Sequence, residues 1–241
     1  MKGTFIVFDG IDGSGKTSAL EAVAVDFARR GKKTFTLTSW SEEHHALPDI
    51  ETLKPYDVII SAEPTRVWVG AAIRKEMVRN GTNYSARDIA AAFALDREIL
   101  YTRSTLPARA QGKIVLQDRS ITTSMVYQPI QKPPVPLPYV LSLSGNQLAL
   151  KHPPDLLVIA SCAADIALKR LSGRTDKKDN VIFERLAFLK QSDRRFHAPW
   201  FQKFWQSRGT KVVYLNAEQS QPQVAKDAIT IVQSFLRASL R

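Results

Sequence analysis

Thiols are almost absent from this 241-residue chain: Cys162 is its one cysteine, so no internal disulfide can form. The four histidines are scattered without metal-ligand spacing, and the adjacent His44 and His45 read as exposed loop. These absences point to a reducing cytoplasmic setting in which Cys162 serves packing. No apolar run approaches the ~20 residues a membrane-spanning helix needs. The short run near the N-terminus stops at Asp9, so we expect neither a span nor a secretory signal. No repeat of fixed period is visible. Acidic residues are in deficit, 23 against 34 basic, for a net charge of +11. The excess is spread over short clusters at Arg29 to Lys33, Arg174 to Lys178 and Arg194 to Arg195, with no long basic run. That distribution favours solvated basic faces and small polyanionic substrates over a nucleic-acid surface.

What is present fits one α/β domain over residues 1–241, with hydrophobic residues at 44% and charged residues at 24%. Gly10-Ile11-Asp12-Gly13-Ser14-Gly15-Lys16-Thr17 satisfies the phosphate-binding pattern G-x-x-x-x-G-K-[ST]. The β-branched and aromatic run Thr4 to Phe8 precedes it, and Leu20, Val23, Ala24 and Phe27 follow at helical spacing. The context is therefore strand, loop, helix. Glycines let the backbone turn its N–H groups inward at the helix N-terminus, where an anion is favoured. Gly10, Asp12, Gly13, Ser14, Gly15, Lys16, Thr17 and Ser18 are thus candidates for binding ATP. Lys16 is aimed at the outer phosphates, and the Thr17 hydroxyl at a Mg²⁺ ion.

Further strands are expected at Lys33 to Thr38, Asp57 to Ala62, Lys113 to Gln117, Asp155 to Ser161 and Lys211 to Leu215. Helices are expected at Val69 to Val78, Ala164 to Leu171, from near Phe183, and from Pro222 to Leu236. The Ser85–Asp88 spacing is that of a capping box and predicts a long helix through about Ala108. The polar stretch 39–56 reads as a surface excursion. So does the segment 129–150, whose five prolines between Pro129 and Pro138 favour extended backbone. Alternating strands and helices predict a parallel sheet with ligands at the carboxyl ends of its strands. Asp118 at such an end is placed to organise Mg²⁺, and Arg119 to hold an anionic group opposite the nucleotide.

In family order, the chain carries Phe8-Asp9-Gly10-Ile11-Asp12-Gly13-Ser14-Gly15-Lys16-Thr17, Glu63-Pro64-Thr65, Ile73-Arg74, Phe93-Ala94-Leu95-Asp96-Arg97 and Gly112 to Ser120, then Ser124 and Tyr127-Gln128. Pro154-Asp155, Ala167 to Leu171 and Phe183-Glu184 extend the match. In these pieces the chain resembles thymidylate kinase. The resemblance implies a P-loop kinase fold, expected as a parallel five-stranded sheet covered by helices on both faces, with a lid at about 173–182. It implies transfer of the γ-phosphoryl group of ATP to dTMP with Mg²⁺ held through Thr17 and Asp118, in a cytoplasmic homodimer. It also implies an acceptor site. Phe93 would stack on the thymine, Arg97 and Ser124 would reach the base edge, and Tyr127 would pack under the sugar. Asp12, Glu63, Arg66, Arg74 and Arg119 would lie on the acceptor side.

The sequence departs from the family at two places that bear on chemistry. Ala62 stands where family members commonly carry Arg before Glu-Pro, which leaves Arg66 or Arg74 to replace that phosphate contact. Gly13 stands where some members carry a phosphate-loop Arg, so a cation from the lid, Arg174 ahead of Lys177 and Lys178, is expected to complete the catalytic set with Lys16 and Arg119. From the residues alone, a kinase for another nucleotide or nucleoside, and a basic nucleic-acid-binding NTPase, stay open.

Overall fold

The computed structural model describes residues 2–79, 81–173 and 185–239. Its framework is a fully parallel sheet of six strands in the order β2-β3-β4-β1-β5-β6. These are β1 (Phe5–Asp9), β2 (Thr34–Thr36), β3 (Val58–Ala62), β4 (Ile114–Asp118), β5 (Leu156–Ser161) and β6 (Lys211–Asn216). The expected five-stranded sheet is thereby corrected. Lys211–Asn216 adds a sixth strand because each of its residues pairs in register with Leu156–Ser161. β1 is fully buried, as a β-branched and aromatic run in a sheet covered on both faces should be.

Thirteen α-helical segments flank the sheet among the described residues. α1 (Lys16–Arg29) and α13 (Gln221–Ser239) cover one face, where Leu20, Val23, Phe27, Ala228 and Val232 pack on Ile6, Phe8, Leu116 and Val158. The larger core lies on the other face, around Phe5, Val7, Leu100, Tyr101, Met125 and Leu157. No helix among the described residues is long and apolar enough to cross a membrane.

The stretch 39–56 is more ordered than an excursion. α2 (Leu37–His44) and α3 (Ile50–Leu53) bury Leu37, Leu47 and Leu53, and the Asp49 side chain caps α3 by accepting the Thr52 N–H at 2.8 Å. His44 stacks on Trp40 at 4.0 Å, a packing role in place of the expected loop. Next come α4 (Trp68–Ala72), which runs into a π-helical turn at Ile73–Met77, and α5 (Ala86–Leu100). Ser85 caps α5 as its spacing predicts, accepting the Asp88 N–H at 3.1 Å. A second π-helical turn, Tyr101–Thr105, joins α5 to α6 (Leu106–Ala110), in which Pro107 occupies the first turn. Proline cannot donate to the preceding turn, so the helical register changes ahead of it.

α7 (Ile121–Tyr127) follows β4. The proline-rich backbone is non-helical only through Pro136, because α8 (Leu137–Ser142) and α9 (Ser144–Lys151) fold the rest of the segment. Gly145 permits this: a Cβ there would lie 1.8 Å from the Ala94 carbonyl oxygen, so α9 docks on α5 backbone to backbone. The chain ends with α10 (Ala164–Ser172), α11 (Leu186–Phe196), α12 (Pro199–Gln206), β6 and α13. The expected lid, with Arg174, Lys177 and Lys178, and the expected helix start at Phe183 lie outside the described residues.

Candidate active site

The carboxyl ends of β1, β3 and β4 gather most of the sequence-predicted residues. The loop between β1 and α1 turns sharply at Gly10 (φ 139°) and Gly13 (φ 80°). A side chain at either is excluded: its Cβ would lie 2.5 Å from the Ala160 oxygen or 2.3 Å from the Ala167 oxygen. The loop therefore fits tightly against β5 and α10, with its amides at the head of α1. Lys16 is buried and donates to the Ile11 carbonyl at 3.2 Å, with Asp12 Oδ1 3.9 Å away. Burial lowers its pKa, Arg119 lowers it further, and Asp12 and Asp118 act in the opposite direction.

β4 ends at Asp118, and Arg119 adopts a left-handed backbone (φ 67°) that is uncommon for a non-glycine residue. That turn places its guanidinium on Asp12, 3.6 Å from Asp9 Oδ1 and 3.1 Å from the Thr123 hydroxyl. Burial opposes its charge, but Asp12, Tyr127 and Asp9 outweigh that cost and raise its pKa. The Tyr127 hydroxyl accepts the Asp12 N–H at 3.1 Å and donates to Asp12 Oδ2 at 3.2 Å. Asp12 thus links the phosphate loop to the helix after β4.

Thr17 Oγ1 donates to Asp118 Oδ2 at 2.5 Å, while Asp118 Oδ1 is buried with no hydrogen-bond partner among the described residues. A hydroxyl, a carboxylate and an orphaned carboxylate oxygen at the phosphate loop form a hard-oxygen donor set that fits Mg²⁺.

Beside this cluster lies a narrow cleft lined by Phe93, Arg97, Arg119, Ser124, Tyr127 and Glu63. Its floor is a buried polar network. Arg97 donates to Glu63 Oε2 at 2.8 Å, to the Ser124 hydroxyl at 3.2 Å and to the Asn146 side-chain oxygen; Gln117 donates to Glu63 Oε1 at 2.9 Å. Burial pushes the Glu63 carboxyl up to about 7, with Arg97 acting against the rise. The Glu63–Pro64 peptide is cis. Arg74 braces this turn by donating to the Pro64 carbonyl at 2.5 Å and the Thr65 carbonyl at 3.2 Å, and burial lowers its pKa to about 10. Arg66 lies farther out, pairing with Glu42 at 3.5 Å. Asp96 accepts both the Thr65 N–H and hydroxyl, at 2.8 and 2.6 Å, and ties the turn to α5.

On the opposite side of the loop a cleft of about 380 Å³ is lined by Gly13, Gly15, Ser18, Arg170 and Gln219. Arg170 is fixed there by donating to the Ala217 carbonyl at 2.9 Å.

Sequence reading assigned no site role to Asp9 or Arg170, although both lie in the matched pieces, nor to Thr123 or Asn146. Asp9 is fully buried, accepts from the Gly10 amide and from the Thr123 hydroxyl, each at 2.8 Å, and is bonded by Thr122 as well. The signal available for it was a charged residue closing an otherwise apolar strand. Asn146 had no signal, because its partner Arg97 is 49 residues away in sequence.

A parallel sheet, a phosphate loop, an acidic strand end and facing clefts define a P-loop phosphotransferase. The family profile described as thymidylate kinase matches residues 50–229. Over nearly full length the chain is similar to the "Thymidylate kinase" of Ligilactobacillus salivarius (strain UCC118), 28% identical over 239 residues covering 98% of this chain and 100% of that one. It is similar to the "Probable thymidylate kinase" of Pyrococcus abyssi (strain GE5 / Orsay), 28% identical over 241 residues covering 98% of each chain. That of Thermococcus onnurineus (strain NA1) is 27% identical over 239 residues, covering 96% of this chain and 98% of that one. The chain belongs to the thymidylate kinase family.

Proposed function

We propose that the chain transfers the γ-phosphoryl group of ATP to dTMP, giving dTDP and ADP. The observation that carries this reading is the contact of the two halves of the site: Asp12 of the phosphate loop is held by both Arg119 and Tyr127, which line the cleft containing Phe93 and Arg97. A donor phosphate on the loop and an acceptor phosphate in that cleft would meet at Arg119.

ATP would occupy residues 10–18, its outer phosphates against Lys16. Thr17 and Asp118 would hold Mg²⁺, which when bound neutralises the phosphate oxygens. In the acceptor cleft Phe93 would stack on the base, Arg97 and Ser124 would read its edge, and Tyr127 would pack against the sugar. The Glu63 contact holds the Arg97 guanidinium in place for this. Ala62, at the end of β3 in register with Asp118, supplies no cation. Arg74 turns its Nε and Nη2 to the carbonyls at Pro64 and Thr65, and Arg66, farther out, is the candidate we favour for the acceptor phosphate. Lys16 and Arg119, joined on closure by Arg174, would neutralise charge on the transferring group. The acceptor phosphate is already ionised, so positioning and charge neutralisation suffice, and no strong general base is required. A cytoplasmic homodimer acting on free nucleotides completes this reading.

Phe93→Ala tests the acceptor cleft. Loss of the stacking partner should raise the KM for dTMP by the equivalent of about 1 to 3 kcal/mol, with the KM for ATP unchanged. An equal rise in both constants would place Phe93 in the core and remove the base-pocket assignment.

A further inference from the structure

Outside both clefts, three polar side chains meet at the carboxyl end of β5. Ser161 closes that strand, and its Oγ lies 2.8 Å from Nε2 of His197, the residue that ends α11. The other ring nitrogen, Nδ1, lies 3.2 Å from Asp193 Oδ1 and 2.9 Å from the Asp193 carbonyl oxygen, one helical turn earlier. Tyr214 on β6 stacks on the imidazole, with ring centroids 4.9 Å apart and planes at 22°. Tyr214 is itself fixed by donating its hydroxyl to the Phe196 carbonyl at 3.0 Å. The ring is therefore restrained at both nitrogens and on one face.

Two acceptors on Asp193 face Nδ1 and call for a proton there, which leaves the Nε2 lone pair for the Ser161 hydroxyl. The hydrogen bond to Asp193 raises the His197 pKa, as expected for an imidazole whose charged form has a carboxylate partner. A nucleophile, a base within hydrogen-bond reach and a carboxylate orienting the base form the arrangement that activates serine for attack on a carbonyl, whatever the surrounding fold. His197 and Asp193 are 39% and 33% exposed, so a small reagent can reach them from solvent. None of the three lines either cleft or has a part in the proposed phosphoryl transfer.

We propose that Ser161, His197 and Asp193 form a second, nucleophilic site that hydrolyses small activated carboxylic esters. The Ser161 Oγ–H proton passes to His197 Nε2 as Oγ forms a bond to the ester carbonyl carbon, whose π electrons move onto oxygen. Collapse of that intermediate breaks the bond to the alkoxy leaving group, which takes the proton from Nε2 and departs as the alcohol. Water then repeats the sequence on the acyl-serine. It gives up its proton to Nε2, the acyl–Oγ bond breaks, Ser161 recovers the proton, and the carboxylic acid leaves.

The test treats the full chain with a fluorophosphonate probe and with p-nitrophenyl acetate. The labelled residue is mapped by peptide mass spectrometry, and dTMP phosphorylation is followed as the control for folding. We expect labelling at Ser161, its loss in Ser161→Ala with phosphorylation unchanged, and labelling and ester hydrolysis slowed by at least ~100-fold in His197→Ala. Asp193→Asn keeps the side-chain volume and should also slow labelling, which provides a second measure if His197→Ala does not fold. An unlabelled Ser161 in folded protein, or equal labelling rates with and without His197, would make the cluster a structural latch between α11 and β5 and overturn the proposal.

Discussion

Lys16 is buried, and burial lowers its pKa; in the proposed mechanism the outer phosphates of a bound nucleotide would offset that desolvation. The Ile11 carbonyl, at 3.2 Å, and Asp12, at 3.9 Å, hold its Nζ within the loop. Lys16→Ala should lower kcat by at least ~100-fold while the dTMP KM changes little, since the charge acts on the transferring group. Steady-state kinetics in both substrates checks this, and near-normal turnover in a folded variant would remove the phosphate-loop mechanism. Glu63 makes a different prediction. Its folded pKa, about 7, lies above the ordinary value of 4.5 because burial penalises its charge. A raised folded pKa means stability fully present below 4.5 and lost as pH rises through about 7. Urea unfolding should show the wild-type protein losing stability relative to Glu63→Gln across that window, and parallel pH curves would contradict it. Residues inside contiguous patterns, such as Gly10, Lys16 and Thr17, were legible in the sequence. Asp9 and Asn146 were not, because their roles come from partners 113 or more residues distant, as with Thr122 and Thr123, or 49 distant, as with Arg97.

At the scale of elements, local signals succeeded where one segment contains both the cap and the periodicity. α5 begins where Ser85 and Asp88 place it, and all six strand segments form strands. The sequence reading failed where tertiary burial decides. α2 and α3 exist because Leu37, Leu47 and Leu53 find apolar cover, although the intervening residues are polar. α12 went unread because it is short and aromatic, and its register becomes plain only with Phe201 and Trp205 in the core. α9 is the element most exposed to a single change. Gly145→Ala puts a Cβ 1.8 Å from the Ala94 carbonyl oxygen, so the two helices must separate and draw Asn146 away from Arg97. Overpacking of this kind costs about 1 to 3 kcal/mol. Chemical denaturation should show that loss together with a raised dTMP KM; unchanged stability would mean that the α5–α9 contact is looser than described.

For the molecule as a whole, the parallel sheet explains why the segments after β1, β3 and β4 share one site, with α5 adding Phe93 and Arg97: the strands deliver the loops that follow them to the same edge. The net charge of +11 is then a field that favours polyanionic nucleotides, with no need of a nucleic-acid groove. The proposed acceptor rests on the ordered motif set, since composition and periodicity point to phosphate chemistry without naming the base. The most direct measurement is therefore turnover of the purified chain with ATP, Mg²⁺ and a panel of dTMP, other nucleoside monophosphates and free nucleosides, with products resolved by chromatography. The expected products are dTDP and ADP in equal amounts, with dTMP as the best acceptor and no dependence on added DNA or RNA. Preferential phosphorylation of another acceptor, or ATP hydrolysis stimulated by nucleic acid without dTDP, would contradict this reading.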